Sequence, residues 1–148
     1  MSKSILLLEG GAYRGIYTAG VLDAFLKNDI SFDAVVGISA GAMTGWNFIS
    51  RQIYRTKNII YTFGNDSRYF GFRAFLSCGG FTGFKFIFDT VNKKYFPFDY
   101  NTAANNPSVF AVGATSLSTS EITYFEFSNF KNVKDFEKCI IASSSMPL

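Results

Sequence analysis

The chain has 148 residues, nearly half of them apolar and 18 of them phenylalanine, which suits one domain with a real core and excludes a disordered chain. It contains no histidine, so within these residues Ser-His-Asp catalysis, Cys-His catalysis and histidine-ligated metal sites are all excluded. The net charge of +3 is modest, and no apolar run approaches the roughly 20 residues of a membrane-spanning helix. Cys78 and Cys139 are too few and too scattered for a disulfide framework or a metal site and read as core thiols. A cytoplasmic location is the default expectation.

Ile5 to Leu8 forms the first predicted strand; Glu9 cuts the run, which is too short for the apolar region of a signal peptide. Glu9-Gly10-Gly11-Ala12-Tyr13-Arg14-Gly15 follows as a glycine-rich turn. From Ile16 to Lys27 the residues are apolar nearly all round, with Thr18, Asp23 and Lys27 as exceptions, so this helix is expected to be buried on most sides. Asn28-Asp29 ends it, and Ala34 to Gly37 is the next strand, giving a right-handed parallel crossover. The glycine turn lacks the features of nucleotide loops. A dinucleotide fingerprint needs Gly where Ala12 stands and an acidic residue ending the second strand, whereas Asp33 precedes that strand. A Walker-type loop needs a Gly-Lys-Ser/Thr ending, also missing here. A plain tight turn and a nest of backbone N–H donors remain as readings.

Asp33-Ala34-Val35-Val36-Gly37-Ile38-Ser39-Ala40-Gly41 runs from a β-branched strand through Gly-x-Ser-x-Gly into small residues. That order predicts strand, tight turn and helix, with Ser39 at a strained apex and its hydroxyl above the sheet. Gly37 and Gly41 let neighbouring segments pass without a Cβ. Ser39 is the candidate nucleophile; the competing reading is an ordinary N-cap serine. A second helix is predicted from Ala40 to about Arg51, its small first turns close to the sheet and Trp46, Phe48 and Ile49 extending the packing.

Residues 52–100 read as short helices and loops, broken at Gly64-Asn65-Asp66-Ser67 and at Cys78-Gly79-Gly80. Between residues 51 and 100, Arg51, Arg55, Lys57, Arg68, Arg73, Lys85, Lys93 and Lys94 stand against three Asp. They read as a solvated face, with contact to anionic lipid or nucleic acid as the alternative. Phe70, Phe72, Phe75, Phe81, Phe84, Phe86 and Phe88 read as core or as the lining of an acyl channel or lid. Ser108 to Thr115 and Ile122 to Phe127 are predicted strands, and Val133 to Ile141 a helix. Ala142-Ser143-Ser144-Ser145-Met146-Pro147-Leu148 looks like a helix running into a loop, so the natural chain is expected to continue.

Acyl transfer through serine needs a nucleophile, a base and donors for the tetrahedral oxyanion. Successive amides at Gly10, Gly11 and Ala12, with Arg14 nearby, suit the third task, and one such donor contributes about 3 kcal/mol. Adjacent parallel strands would place this loop and the Ser39 turn at the carboxyl edge, where open α/β sheets bind ligands.

The two segments together resemble the patatin-like phospholipase family, which pairs an Asp-Gly-Gly-Gly-x-Arg-Gly loop with a Gly-x-Ser-x-Gly elbow. Ile16 to Phe25, Asp66-Ser67-Arg68-Tyr69 and the Ala-Ser-x-x-x-Pro run from Ala142 to Pro147 extend the likeness across essentially the whole chain. The resemblance implies a three-layer α/β/α sandwich with a mainly parallel sheet, one domain over 1–148 lacking its C-terminal part, and hydrolysis of lipid or other acyl esters by a Ser-Asp dyad. Ser39 corresponds to the nucleophile, Gly10, Gly11, Ala12 and Arg14 to the oxyanion hole, and Gly37 and Gly41 to the elbow. The implied partners are a lipid or acyl-ester substrate and transient contact with a membrane surface; no nucleic acid, cofactor or metal is implied. Glu9 and Ala12 depart from the motif, and the methyl of Ala12 is expected to be tolerated at negative φ. The family's base lies in an Asp-Gly pair, and no Asp-Gly pair occurs here. The base is therefore unassigned, with Asp23, Asp29, Asp33, Asp66, Asp89, Asp99 and Asp135 expected to be ordinary surface carboxylates. A polypeptide ending at Leu148 is expected to turn over activated esters very slowly, if at all. The rival readings are a catalytically silent lipid- or protein-binding module and, less favoured without histidine, an acyltransferase.

Overall fold

A computed structural model describes residues 3–71, 73–74, 76 and 82–145. Its elements in chain order begin with β1 (Ile5–Leu8), a 3₁₀ turn (Ala12–Arg14), α1 (Gly15–Lys27), β2 (Ala34–Ile38) and α2 (Ala40–Ile49). They continue with α3 (Arg55–Phe63), α4 (Phe86–Tyr95, wound as a π-helix), α5 (Tyr100–Ala104), β3 (Val109–Thr115), β4 (Ile122–Glu126), a 3₁₀ turn (Phe127–Asn129) and α6 (Val133–Ser144). The fold class is mixed α/β: a mainly parallel sheet flanked by helices.

The sheet order is β1-β2-β3-β4, the first three strands parallel and β4 antiparallel to β3. Leu8 pairs with Gly37 and Gly37 with Val112, so the carboxyl ends of β1, β2 and β3 lie side by side. Alternation along the strands separates two faces. Leu8, Val35, Phe110 and Val112 are buried on the inner face. There α2 and α6 meet, with Trp46 stacked on Phe98 and Phe110 at ring separations of 4.7 and 5.8 Å and Phe136 at 5.5 Å from Trp46. Rings of this size bury the most apolar area per residue and anchor the helices to the sheet. Residues of opposite parity, Ile5, Leu7, Ile38, Val109, Ile122 and Tyr124, are exposed.

The helix at 15–27 differs from its expectation. Only the stripe of Gly15, Ala19, Leu22 and Leu26 is buried, while Ile16, Tyr17 and Val21 are exposed. Its apolar composition exceeds what its single packed face can cover. The basic middle also holds a departure: Arg55, expected on a solvated face, is only 5% exposed. The phenylalanines divide, with Phe88 in the main core, Phe86 edge-on to Phe63 in a second small cluster, and Phe70 exposed. Phe72, Phe75, Phe81, Cys78, Gly79, Gly80, Met146, Pro147 and Leu148 lie outside the described residues. Cys139 sits on α6 half-buried, short of the core position expected of it, its thiol directed to the Asp135 carbonyl.

Candidate functional site

Strand β2 ends at Ile38 and helix α2 begins at Ala40, so a single residue, Ser39, makes the turn. Its backbone has φ 55° and ψ −121°, a region that costs a non-glycine residue about 1–3 kcal/mol and persists only where the surroundings over-determine it. Those surroundings are close-packed backbone. A Cβ placed on Gly41 would lie 2.1 Å from the Leu8 carbonyl oxygen, and one on Gly37 would lie 2.6 Å from the Gly41 carbonyl oxygen. No side chain larger than hydrogen fits at either position.

Hydrogen bonds complete the constraint. The Ser39 carbonyl accepts from the Met43 amide at 3.1 Å, the first turn of α2. The Ser39 amide donates to Ser143 Oγ at 2.8 Å, and Ser143 Oγ donates onward to the Gly113 carbonyl at 2.6 Å. One hydroxyl on α6 thereby ties the elbow to β3. The Ser39 side chain is half-buried and makes no capping bond to the helix it precedes, so its hydroxyl is not spent as an N-cap. Among the described residues Ser39 Oγ has no hydrogen-bond partner.

The glycine loop meets this turn. A Cβ on Gly10 would sit 3.1 Å from Ser39 Cβ and 3.8 Å from Ser39 Oγ, so the loop and the elbow are in van der Waals contact. Arg14 folds back over the loop: a Cβ on Gly11 would lie 3.2 Å from Arg14 Nε. Among the described residues no acceptor takes the amides of Gly10, Gly11 or Ala12. Tyr13 fixes the loop from outside, donating its hydroxyl to the Gly64 carbonyl at 3.3 Å and meeting Phe70 edge-on. Ala12 adopts φ 47°, against the negative φ expected of it. A left-handed alanine costs about 1 kcal/mol, and here it opens the 3₁₀ turn Ala12–Arg14.

Every aspartate has a task elsewhere. Asp23 accepts from the Tyr54 amide, Asp29 pairs with Arg51, Asp66 with Arg68, Asp89 with Lys93 and Asp135 with Lys138. Asp33 accepts from the Ser4 amide and hydroxyl, and Asp99 caps α5 through Thr102. Among the described residues no carboxylate is bonded to Ser39, so the structure brings together the hydroxyl and the amide nest without a base. Ser143 escaped sequence reasoning as an individual residue; its only signal was its place in the Ala142–Pro147 run.

A sequence profile described as Patatin-like phospholipase matches residues 6–148. The uncharacterized protein YjjU of Escherichia coli (strain K12) is 32% identical to this chain over 100 residues, which is 67% of the chain and 28% of that protein. The matched part of the chain therefore spans less than a third of that relative's length. Among the described residues no helix is long and apolar enough to cross a membrane.

Proposed function

Because the chain belongs to the patatin-like phospholipase family, we propose that it is a serine acyl hydrolase acting on lipid or other acyl esters, with Ser39 Oγ as the nucleophile. Oγ attacks the ester carbonyl carbon, and the carbonyl π pair moves onto oxygen to form the tetrahedral oxyanion. The amides of Gly10, Gly11 and Ala12 and the charge of Arg14 face that oxygen, together with the first free amide of α2 at Ala40. The proton of Oγ passes to an aspartate base and then to the departing alcohol; water, activated by the same carboxylate, releases the acid and restores Ser39. That aspartate is proposed to come from an Asp-Gly pair outside residues 1–148.

The observation that carries the reading is the contact between Gly10 and the Ser39 side chain, with the serine's amide, not its hydroxyl, taken by Ser143. The test is labelling by a fluorophosphonate followed by peptide mass mapping. Label on Ser39, lost in Ser39→Ala, is expected; label that persists in Ser39→Ala contradicts the reading. A second reading, a silent lipid-binding module, is favoured by the absence of a carboxylate bonded to Ser39 among the described residues. It requires liposome binding undiminished by Ser39→Ala and no ester turnover in any longer form of the protein.

A further inference from the structure

Arg55 opens α3, and its guanidinium is buried without a carboxylate partner among the described residues. Nη1 donates to Asn47 Oδ1 at 2.6 Å, and Nη2 donates to Asn92 Oδ1 at 2.7 Å and the Phe96 carbonyl at 2.8 Å. Its planar face lies over the Phe98 ring, 5.2 Å from the centroid. The buried carboxylate whose charge reaches it, Glu137, already accepts from Lys134 Nζ at 2.7 Å and from the Tyr100 hydroxyl at 2.9 Å. Burial pushes the guanidinium down to about 10, which still leaves it a cation at neutral pH.

Two N–H donors in this region have no acceptor: Arg55 Nε and Trp46 Nε1. Both residues line one cavity of about 80 Å³, whose wall also includes Ala12, Gly15 and Ala40 from the glycine loop and the elbow. Most of the other polar groups of the wall are committed, the exception being the hydroxyl of Tyr69, which burial pushes up to about 12 and keeps neutral. Asn47 Nδ2 donates to Thr56 Oγ1, Thr44 Oγ1 donates to the Ala40 carbonyl, and the amide oxygens of Asn47 and Asn92 are taken by Arg55. What is left over is positive charge, two N–H groups and a neutral hydroxyl able to donate. A buried donor left unpaired is destabilising, and an uncompensated buried cation is more so. A cation is repelled from such a wall, and an acceptor carrying negative charge complements it.

We propose that the cavity beneath the elbow is an anion site, taking a carboxylate or phosphate oxygen between Arg55 and Trp46. Its size suits a small oxyanion or a headgroup and not a whole acyl chain, and it stands apart from the proposal that Ser39 is a nucleophile. Trp46 is the chain's sole tryptophan, so its fluorescence reports on the site directly. The experiment titrates the Ser39→Ala chain at constant ionic strength with inorganic phosphate, with butyrate and with dihexanoylphosphatidic acid. Working in Ser39→Ala separates anion binding from turnover.

A saturable change in Trp46 emission with phosphate or butyrate supports a free-anion site; saturation by the phospholipid alone supports a headgroup site. No saturable response to any of the three overturns the proposal. Arg55→Gln is expected to abolish the response. Should that variant not fold, Arg55→Lys, which keeps the charge and withdraws the Nε donor, is expected to weaken binding by about tenfold or more. Calorimetry on Trp46→Phe, which keeps the ring and removes the indole N–H, is expected to show a loss of similar direction. Wild-type affinity in the folded variants overturns the assignment.

Discussion

The two ends of α2 are built on opposite principles. At its head, side chains are missing: Gly41 lies against the Leu8 carbonyl, Gly37 against Gly41, and Gly10 against Ser39, so backbones touch and one serine is held at positive φ. Toward its tail, side chains do the packing around one small cavity: Trp46 is packed by Phe98, Phe110, Phe127 and Phe136, and Arg55 threads its guanidinium between Asn47 and Asn92. Strain at the head is sustained by the backbone packed around it and by the Ser143 bridge. A rigid interior transmits displacement and does not absorb it. The head tolerates no added atoms, whereas the tail tolerates no lost ones.

Gly41→Ala is expected to have the largest effect. The new methyl would enter at 2.1 Å from the Leu8 carbonyl oxygen, and with backbone on both sides the expected loss is roughly 4 kcal/mol or more, read as a collapsed urea midpoint. Survival of the wild-type midpoint would mean that the head is looser than described. Ser39→Gly sharpens the same point in the other direction. Glycine accepts φ 55° freely, so stability is expected to rise by about 1 kcal/mol while fluorophosphonate labelling disappears.

Ser143→Ala removes the acceptor for the Ser39 amide and the donor to the Gly113 carbonyl. A stability loss of about 1–3 kcal/mol is expected, with slower labelling of Ser39 in the fraction that stays folded. Labelling at the wild-type rate would separate α6 from the elbow. The smallest effect belongs to Asp33, an exposed carboxylate just before β2. Its carboxyl is held below the usual range by the Ser4 amide first and the Ser4 hydroxyl second. The folded pKa is depressed, so the contribution is present above pH about 4 and is lost as pH falls through the lower, folded value. The urea midpoints of wild type and Asp33→Asn are therefore expected to differ slightly at neutral pH and to converge in acid.

Much of the head was readable along the chain because its signals are short-range. The β-branched run, the glycine spacing and the abrupt change to small residues lie within nine positions, and β1 through α2 emerged within a residue or two of their expected bounds. Ser143 was not readable in its role: its partner is 104 positions away, and only the docking of α6 on β3 brings the two together. Arg55 reads as solvated along the chain because it is a basic residue in a basic stretch, yet it is buried. What buries it is a set of amide oxygens from α2 and α4, each ordinary by itself. The exposed side of α1 was hidden by composition, since apolar residues on every side of a helix do not state which side finds a neighbour. Ala12 took a conformation that its methyl disfavours, because the 3₁₀ turn and the Tyr13 anchor fix the loop around it.

Acyl transfer at Ser39 requires the glycine loop and the elbow to share one reacting oxygen. The most direct measurement is a crystal structure of the chain carrying a fluorophosphonate on Ser39. The phosphonyl oxygen is expected about 3 Å from the amides of the Gly10–Ala12 loop, with Arg14 still folded over it. An adduct whose oxygen turns to solvent, away from those amides, would contradict it.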